Sequence, residues 1–165
     1  MGKKSKILYF SVLIVNVVCF ILDLLPINFP FFRISFGVSL VLIGLLLIVR
    51  SVNLKIDSSL FIGTLLLLFG ILNLFLYFGQ AYFGLNSNEL WPYYLFAVTV
   101  SSIVTFIYFK DRLQFKIAIL FLGFGVITLL FVRGLLLLWV YIVLMIIWFI
   151  VYFVVNSILY RRGNR

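Results

Sequence analysis

The 165-residue chain has no histidine, one cysteine and only four acidic residues. Histidine is the usual general base near neutral pH and the commonest metal ligand, so its absence excludes His-dependent membrane proteases and phosphatases. An aspartyl intramembrane protease needs paired buried carboxylates, and a proton-coupled carrier usually needs an ionisable group in mid-membrane. The four acids all lie at or near predicted helix ends: Asp23, Asp57, Glu89 and Asp111. The sequence predicts a protein that is not an enzyme and that binds no cofactor or metal.

The lone cysteine, Cys19, has no partner for an internal disulfide. It follows Val18 rather than the small residue that a lipoprotein signal requires, and no Ala-x-Ala-like cleavage site follows the first apolar run. We therefore expect that run to remain as the first membrane span.

Long apolar runs fill most of the chain. Apolar residues make up 66% of it and charged residues 10%, against about 45–50% and about 25% in soluble domains. A helix needs roughly 20 apolar residues to cross the hydrocarbon core. The sequence predicts an all-α integral membrane protein, a bundle of six transmembrane helices in a single membrane domain over residues 1–165. The expected helices are about 7–25, 31–49, 58–83, 91–109, 115–132 and 134–160.

The net charge of +9 is distributed unevenly between the two sides of this topology. Eleven of the thirteen basic residues fall on the side of the termini, and only Arg33 and Arg133 fall on the other. This positive-inside pattern predicts cytoplasmic termini in a cell (inner) membrane protein. Lipid, rather than nucleic acid, is the expected partner of the basic residues. Asp23 and Arg33 flank the first outer turn, where they could form an ion pair.

Two sequence echoes indicate repeated two-helix hairpins in the same orientation. Residues 29–32 and 91–94 both read aromatic, Pro, aromatic, aromatic, and both open a helix on the outer side. Residues 65–71 resemble residues 120–126, and the same alignment pairs Gly79 with Gly134. Separate interface caps, in a chain rich in Leu and Phe, are the alternative explanation of these echoes.

Small residues recur at helical spacing, as expected where membrane helices pack closely. They could face another helix of this chain, a partner protein or a second copy. This candidate packing face comprises Ala97, Ser101, Thr105, Ser35, Ser39, Gly63 and Gly70. Asn16 and Asn73 lie near the middle of predicted helices and form a candidate polar core. They are either interhelical hydrogen-bonding groups or part of a polar site for a ligand or ion.

Residues 60–104 resemble the LiaI/LiaF-like transmembrane region of bacterial membrane proteins. The resemblance is carried by the glycine-containing run from Leu60 to Asn73, and by Glu89-Leu90-Trp91-Pro92-Tyr93-Tyr94-Leu95 after a polar outer loop. It implies a bacterial membrane protein connected with envelope-stress regulation. LiaF-type proteins also carry a soluble C-terminal domain, which is not found in this chain, so a direct stress-regulator role is not expected.

The sequence therefore favours a non-catalytic multipass membrane protein that acts as a scaffold, accessory subunit or regulator of a bacterial envelope-associated assembly. The alternative is a transport component, such as a small six-helix substrate-binding or permease subunit. In that case Asn16, Asn73 and Ser101 are the candidate ligand-binding residues, because a ligand pocket needs converging polar groups.

Overall fold

The computed structural model describes residues 3–24, 31–83 and 91–163, and these residues form helices and short turns without any strand. The prediction of an all-α protein is confirmed. The chain divides into two compact units, Met1–Asn86 and Ser87–Arg165. The first unit contains α1 (Lys3–Asp23), α2 (Phe31–Leu54) and α3 (Asp57–Phe83). The second contains α4 (Pro92–Phe109), α5 (Arg112–Val132) and α6 (Leu138–Gly163).

Five of these helices are long and apolar enough to cross a membrane, so the chain has the character of a multipass membrane protein. Helix α1 differs because its apolar stretch, Phe10–Asp23, is shorter than the others and follows a lysine-rich first turn. A sixth span through α1 therefore stays a prediction. Proline 92 opens α4 at the first helical position, where its missing N–H leaves no unpaired donor. Residues 25–30 and 84–90, which include Pro30 and Glu89, lie outside the described residues.

Four glycines bring the backbones of α2 and α3 into contact. Gly37 lies opposite Gly70, and Gly44 lies opposite Gly63. A Cβ atom added at Gly70 would lie 2.7 Å from the Gly37 carbonyl oxygen, and one at Gly44 would lie 2.7 Å from the Gly63 carbonyl oxygen. Lipid gives helices no hydrophobic reason to associate, so such close packing is what holds membrane helices together.

The turn between α2 and α3 has only two residues, because α2 continues beyond its predicted end at residue 49 to Leu54. Ser51 is fully buried, and its hydroxyl donates a hydrogen bond to the Ile56 carbonyl oxygen at 2.6 Å. The Ile56 N–H in turn donates to the Ser51 carbonyl oxygen at 3.2 Å. Lys55 closes the turn in the left-handed conformation, at φ 52°.

The turn between α4 and α5 is built in a similar way. Lys110 has φ 59°, and its N–H donates to the Phe106 carbonyl oxygen at 2.7 Å. The Asp111 carboxylate accepts the Leu113 N–H at 2.9 Å, which makes Asp111 the N-cap of α5. Capping by aspartate satisfies a donor that has no partner within the helix. As a result α5 begins at Arg112, earlier than the predicted residue 115.

Helix α6 begins at Leu138 and not at the predicted Gly134, because Gly134 terminates α5. Gly134 has φ 71°, its N–H donates to the Phe131 carbonyl oxygen, and the Leu135 N–H donates to the Leu130 carbonyl oxygen. This pair of bonds is a Schellman motif, for which glycine suits the left-handed position. The segment between the two helices therefore has five residues.

We predict that Gly44→Ala is more destabilising than Gly37→Ala, although both replace a glycine inside α2. Both variants gain the same helix propensity, about 1 kcal/mol. The new methyl group at residue 44 would lie 2.6 Å from the Leu67 backbone nitrogen, whereas that at residue 37 would meet the movable Leu74 side chain at 2.9 Å. Overpacking should cost Gly44→Ala about 1–3 kcal/mol more in unfolding free energy. Reversible unfolding in mixed micelles measures the difference; equal stability of the two variants would contradict the packing described here.

Candidate functional site

A polar cluster joins α1 to α2 within the first unit. The Asn16 amide nitrogen donates to the Ser39 hydroxyl oxygen at 2.7 Å, and the Ser35 hydroxyl donates to the Asn16 amide oxygen at 3.2 Å. The same amide nitrogen also donates to the Val12 carbonyl oxygen, one turn back in α1, at 2.9 Å. Ser35 and Ser39 of the predicted packing face thus form one cluster with Asn16 of the predicted polar core.

Most hydrogen-bonding groups of this cluster are already paired within the protein. An amide nitrogen has two donors, and both Asn16 donors are used. The Ser35 hydroxyl also contacts the Phe32 carbonyl oxygen at 3.1 Å, and Ser39 is 8% exposed. The arrangement is therefore suited to fastening α1 onto α2 rather than to holding a ligand.

Asn73 is not part of this cluster. Its amide nitrogen donates to the Phe69 carbonyl oxygen of its own helix at 3.0 Å. Such a bond to the preceding turn satisfies the donor without joining two helices. The structure therefore does not bring the two predicted core asparagines together.

The Asp23 carboxylate lies at the end of α1 and caps the beginning of α2. Its Oδ2 atom accepts the Phe32 N–H at 3.0 Å. A negative charge at a helix N-terminus is favourable because the first N–H groups have no partner within the helix. Among the residues that the structure describes, Asp23 forms no ion pair with Arg33, so the expected outer ion pair is replaced by this cap.

The small-residue stripe of α4 is buried in the second unit. Ala97 is 4% exposed, and Ser101 and Thr105 are fully buried. The Ser101 hydroxyl donates to the Ala97 carbonyl oxygen at 2.8 Å, and the Thr105 hydroxyl donates to the Ser101 carbonyl oxygen at 2.9 Å. The stripe thus forms a chain of hydrogen bonds along its own helix, and its side chains are covered within this protein.

The other predicted packing residues, Gly63 and Gly70, form the backbone contacts of α3 with α2 described above. Within the first unit the predicted residues occupy two separate places, the Asn16 cluster and the α2–α3 contact, and Asn73 belongs to neither. The α4 stripe belongs to the second unit. Within the described residues there is also no group of three acids, cysteines or histidines that could hold a metal ion.

A tryptophan contact between α5 and α6 was missed by the sequence-based reasoning. The Trp148 indole nitrogen donates to the Leu120 carbonyl oxygen at 3.1 Å, and the indole ring lies directly against Gly123. Any side chain at residue 123 would occupy the volume of the ring. The sequence could have indicated this contact. Membrane tryptophans prefer the interface, so a tryptophan in the middle of a membrane helix needs a hydrogen-bond partner for its N–H within the protein.

Two buried hydroxyl groups were also missed. Ser102 and Thr128 are fully buried, and neither hydroxyl oxygen has a hydrogen-bond partner among the described residues. Ser102 lies next to Ser101 on α4, and Thr128 lies on α5, within the same unit. The sequence could not predict these unpaired hydroxyl groups, because serine and threonine in a helix often bond to a carbonyl oxygen of their own helix, as Ser101 does.

We predict that Asn16→Leu lowers stability more than Asn73→Leu does. Asn16 bonds two side chains of another helix, and such bonds contribute about 0.6 kcal/mol on average and at most about 1.7 kcal/mol in membranes. Among the described residues Asn73 bonds only its own helix, so its replacement should be nearly neutral. Unfolding in mixed micelles gives both values. Equal losses, or a folded Asn16→Leu protein that has lost its biological function, would argue against a purely structural role for the cluster.

No family model, no curated protein and no solved structure matches this chain. The resemblance of residues 60–104 to the LiaI/LiaF-like region therefore stays a prediction that depends on the residues quoted for it.

Proposed function

We propose that this chain is a non-catalytic, multipass protein of a bacterial cell membrane, which acts as a scaffold, accessory subunit or regulator of an envelope-associated assembly. It has six spans, with α1 as the first, and both termini lie in the cytoplasm. The bacterial envelope is proposed from the LiaI/LiaF-like resemblance of residues 60–104. The orientation is proposed from the eleven-to-two distribution of basic residues between the two sides.

The observation that carries the proposal is the exposure of the two flanking helices. Among the described residues of its unit, α1 packs only on α2, and α6 likewise packs only on α5. No residue of the α6 apolar span is buried, and its large side chains are mostly exposed. A helix attached at one narrow contact leaves most of its circumference free for lipid or for another membrane protein. Docking of a partner helix is the use best suited to such a surface.

We further propose that α2–α3 and α4–α5 are two copies of one hairpin. Corresponding positions lie 55 residues apart, such as Lys55 and Lys110 in the two turns. The packing register supports this. A Cβ atom added at Gly70 would meet Val41, and one added at Gly125 would meet Phe96. The two glycines are 55 residues apart in the sequence, and so are the two residues that they contact.

A transport role remains the alternative, and one observation favours it. The hydroxyls of Ser102 and Thr128 are buried without a partner among the described residues. Buried polar groups normally have a hydrogen-bond partner, which can be a water molecule or a ligand. A small molecule that stays with the purified protein would support transport, and a stoichiometric membrane protein would support the scaffold.

The scaffold proposal is tested by photo-crosslinking from α6 in native membranes. Val143, Ile146 and Ile150 are all at least half exposed and share one helix face at spacings of three and four residues. A photoreactive residue at these positions should form an adduct with one membrane protein. The fully buried Thr128 serves as the control position and should give no adduct.

Two results would contradict the scaffold. One is crosslinking to lipid alone from every exposed position around α6. The other is a partner adduct of equal intensity from the exposed positions and from residue 128, since this would mean that the captured protein does not dock on α6.

We predict that reporter fusions at Asn88 and Arg165 give opposite sidedness, with Asn88 external. A reporter placed before Lys3 should report the cytoplasm, as the one at Arg165 does, because a spanning α1 keeps the amino-terminal lysines on the basic side. An external amino terminus would show that α1 does not cross the membrane, and would leave the five long apolar helices as the spans.

A further inference from the structure

We infer that the turns of the two hairpins are binding sites for the headgroups of anionic phospholipids. Each turn has two residues, 55–56 between α2 and α3 and 110–111 between α4 and α5, and each begins with a lysine at positive φ. The inference requires only that the hairpins lie in a membrane, as proposed above. It does not depend on any partner protein.

Lysine is an unusual residue for this backbone conformation. Residues other than glycine seldom adopt positive φ, and among them Asn, Asp and His are the enriched types. Glycine or asparagine would close either turn with less strain. Lys55 and Lys110 nevertheless occupy the same position in both turns, which indicates that the charge at this position has a use.

The acidic residues of the turns accept backbone N–H groups of the helices that follow, and they form no ion pair with the lysines within the described residues. The Asp57 carboxylate accepts the Ser58 N–H at 2.6 Å, and the Asp111 carboxylate accepts the Leu113 N–H at 2.9 Å. The cations near the turns are more numerous than these acids, and none of them forms an ion pair within the described residues. They are Arg50, Lys55, Lys110, Arg112 and Lys116.

The exposed cations lie where lipid phosphates lie. The apolar spans Phe31–Leu54 and Asp57–Gln80 meet at the first turn, and Pro92–Phe109 and Arg112–Val132 meet at the second, so each turn is at the end of two spans. Lys55, Lys110, Arg50 and Arg112 are exposed. Basic groups at this level attract the headgroups of anionic lipids.

Both turns are also held in one conformation, which makes them binding sites rather than loose charged loops. The two Ser51–Ile56 hydrogen bonds fix the first turn. In the second, the Phe106 and Phe115 rings pack with centroids 4.9 Å apart, and the Lys110 ammonium lies 6.0 Å from the Phe106 ring centroid. A cation beside an aromatic face is oriented without losing its charge.

The test compares the purified protein in nanodiscs of phosphatidylcholine with the protein in nanodiscs that also contain phosphatidylglycerol. The variant is Lys55→Asn with Lys110→Asn, because asparagine tolerates positive φ and so removes the charges while preserving the turns. The control is Arg33→Gln with Arg133→Gln, which removes the same number of exposed cations elsewhere. The measurements are Tm and the phosphatidylglycerol retained in native mass spectrometry.

We expect phosphatidylglycerol to raise the Tm of the wild type and of the control, and to be retained by both. In phosphatidylcholine, the Tm of the asparagine variant should match or exceed that of the wild type. The variant should lose most of the increase in Tm that phosphatidylglycerol gives the wild type. High salt should reduce the wild-type rise, because it screens exposed charges.

Three results would overturn the inference. The asparagine variant could show the full wild-type rise, the control could lose as much as the variant, or the wild type could show no dependence on phosphatidylglycerol. If the last result came with loss of a co-purified membrane protein from the asparagine variant alone, the turns would instead bind an acidic protein segment. Failure of α6 crosslinking would leave the lipid result unaffected, so the two proposals fail separately.

Discussion

Close contact between helix backbones at small residues is the interaction on which the α2–α3 hairpin depends. In water, the burial of apolar side chains drives helices together. In a bilayer, an apolar side chain is solvated as well by lipid as by another helix. What remains is dispersion between well-fitted surfaces, and a gap of about 0.5–1 Å already loses a quarter to a half of that attraction. The Gly37–Gly70 and Gly44–Gly63 pairs provide that fit. In the α4–α5 hairpin, buried Ala97, Ser101 and Thr105 are small enough for the same purpose.

Directional side-chain contacts attach the flanking helices to these hairpins. Asn16 bonds the hydroxyl groups of α2, and the Trp148 indole bonds a carbonyl oxygen of α5 across Gly123. In both cases a polar group in an apolar helix has a specified partner, which fixes rotation and depth more strictly than apolar contact does. The hairpins therefore provide stability, and the attached helices provide surface. This division of roles supports the proposal of a scaffold or accessory subunit.

The positions of the helices could be predicted from the sequence because hydropathy reports the solvent directly. Their ends could not, because local bonds decide them. Arg50 and Ser51 read as a loop, yet Ser51 is buried and continues α2. Gly134 reads as the start of a helix, but its left-handed backbone ends the preceding one. Stripes of small residues were predictable from spacing, whereas the pairing of Asn16 with Ser35 and Ser39 needed the register between two helices, which composition does not encode.

The two-residue turns have a consequence for the order of folding. They keep the glycine contacts of α2 with α3 close in sequence, and proteins dominated by such local contacts fold quickly because little loop entropy is lost before the contacts form. Each hairpin can close as soon as its second helix has entered the bilayer. In the first unit α1 is synthesised before its partner α2, and in the second α6 is synthesised after α5. Helix α1 can therefore pack on α2 before the first hairpin closes, whereas α6 can be attached only after α5 is made, when the second hairpin can already have closed.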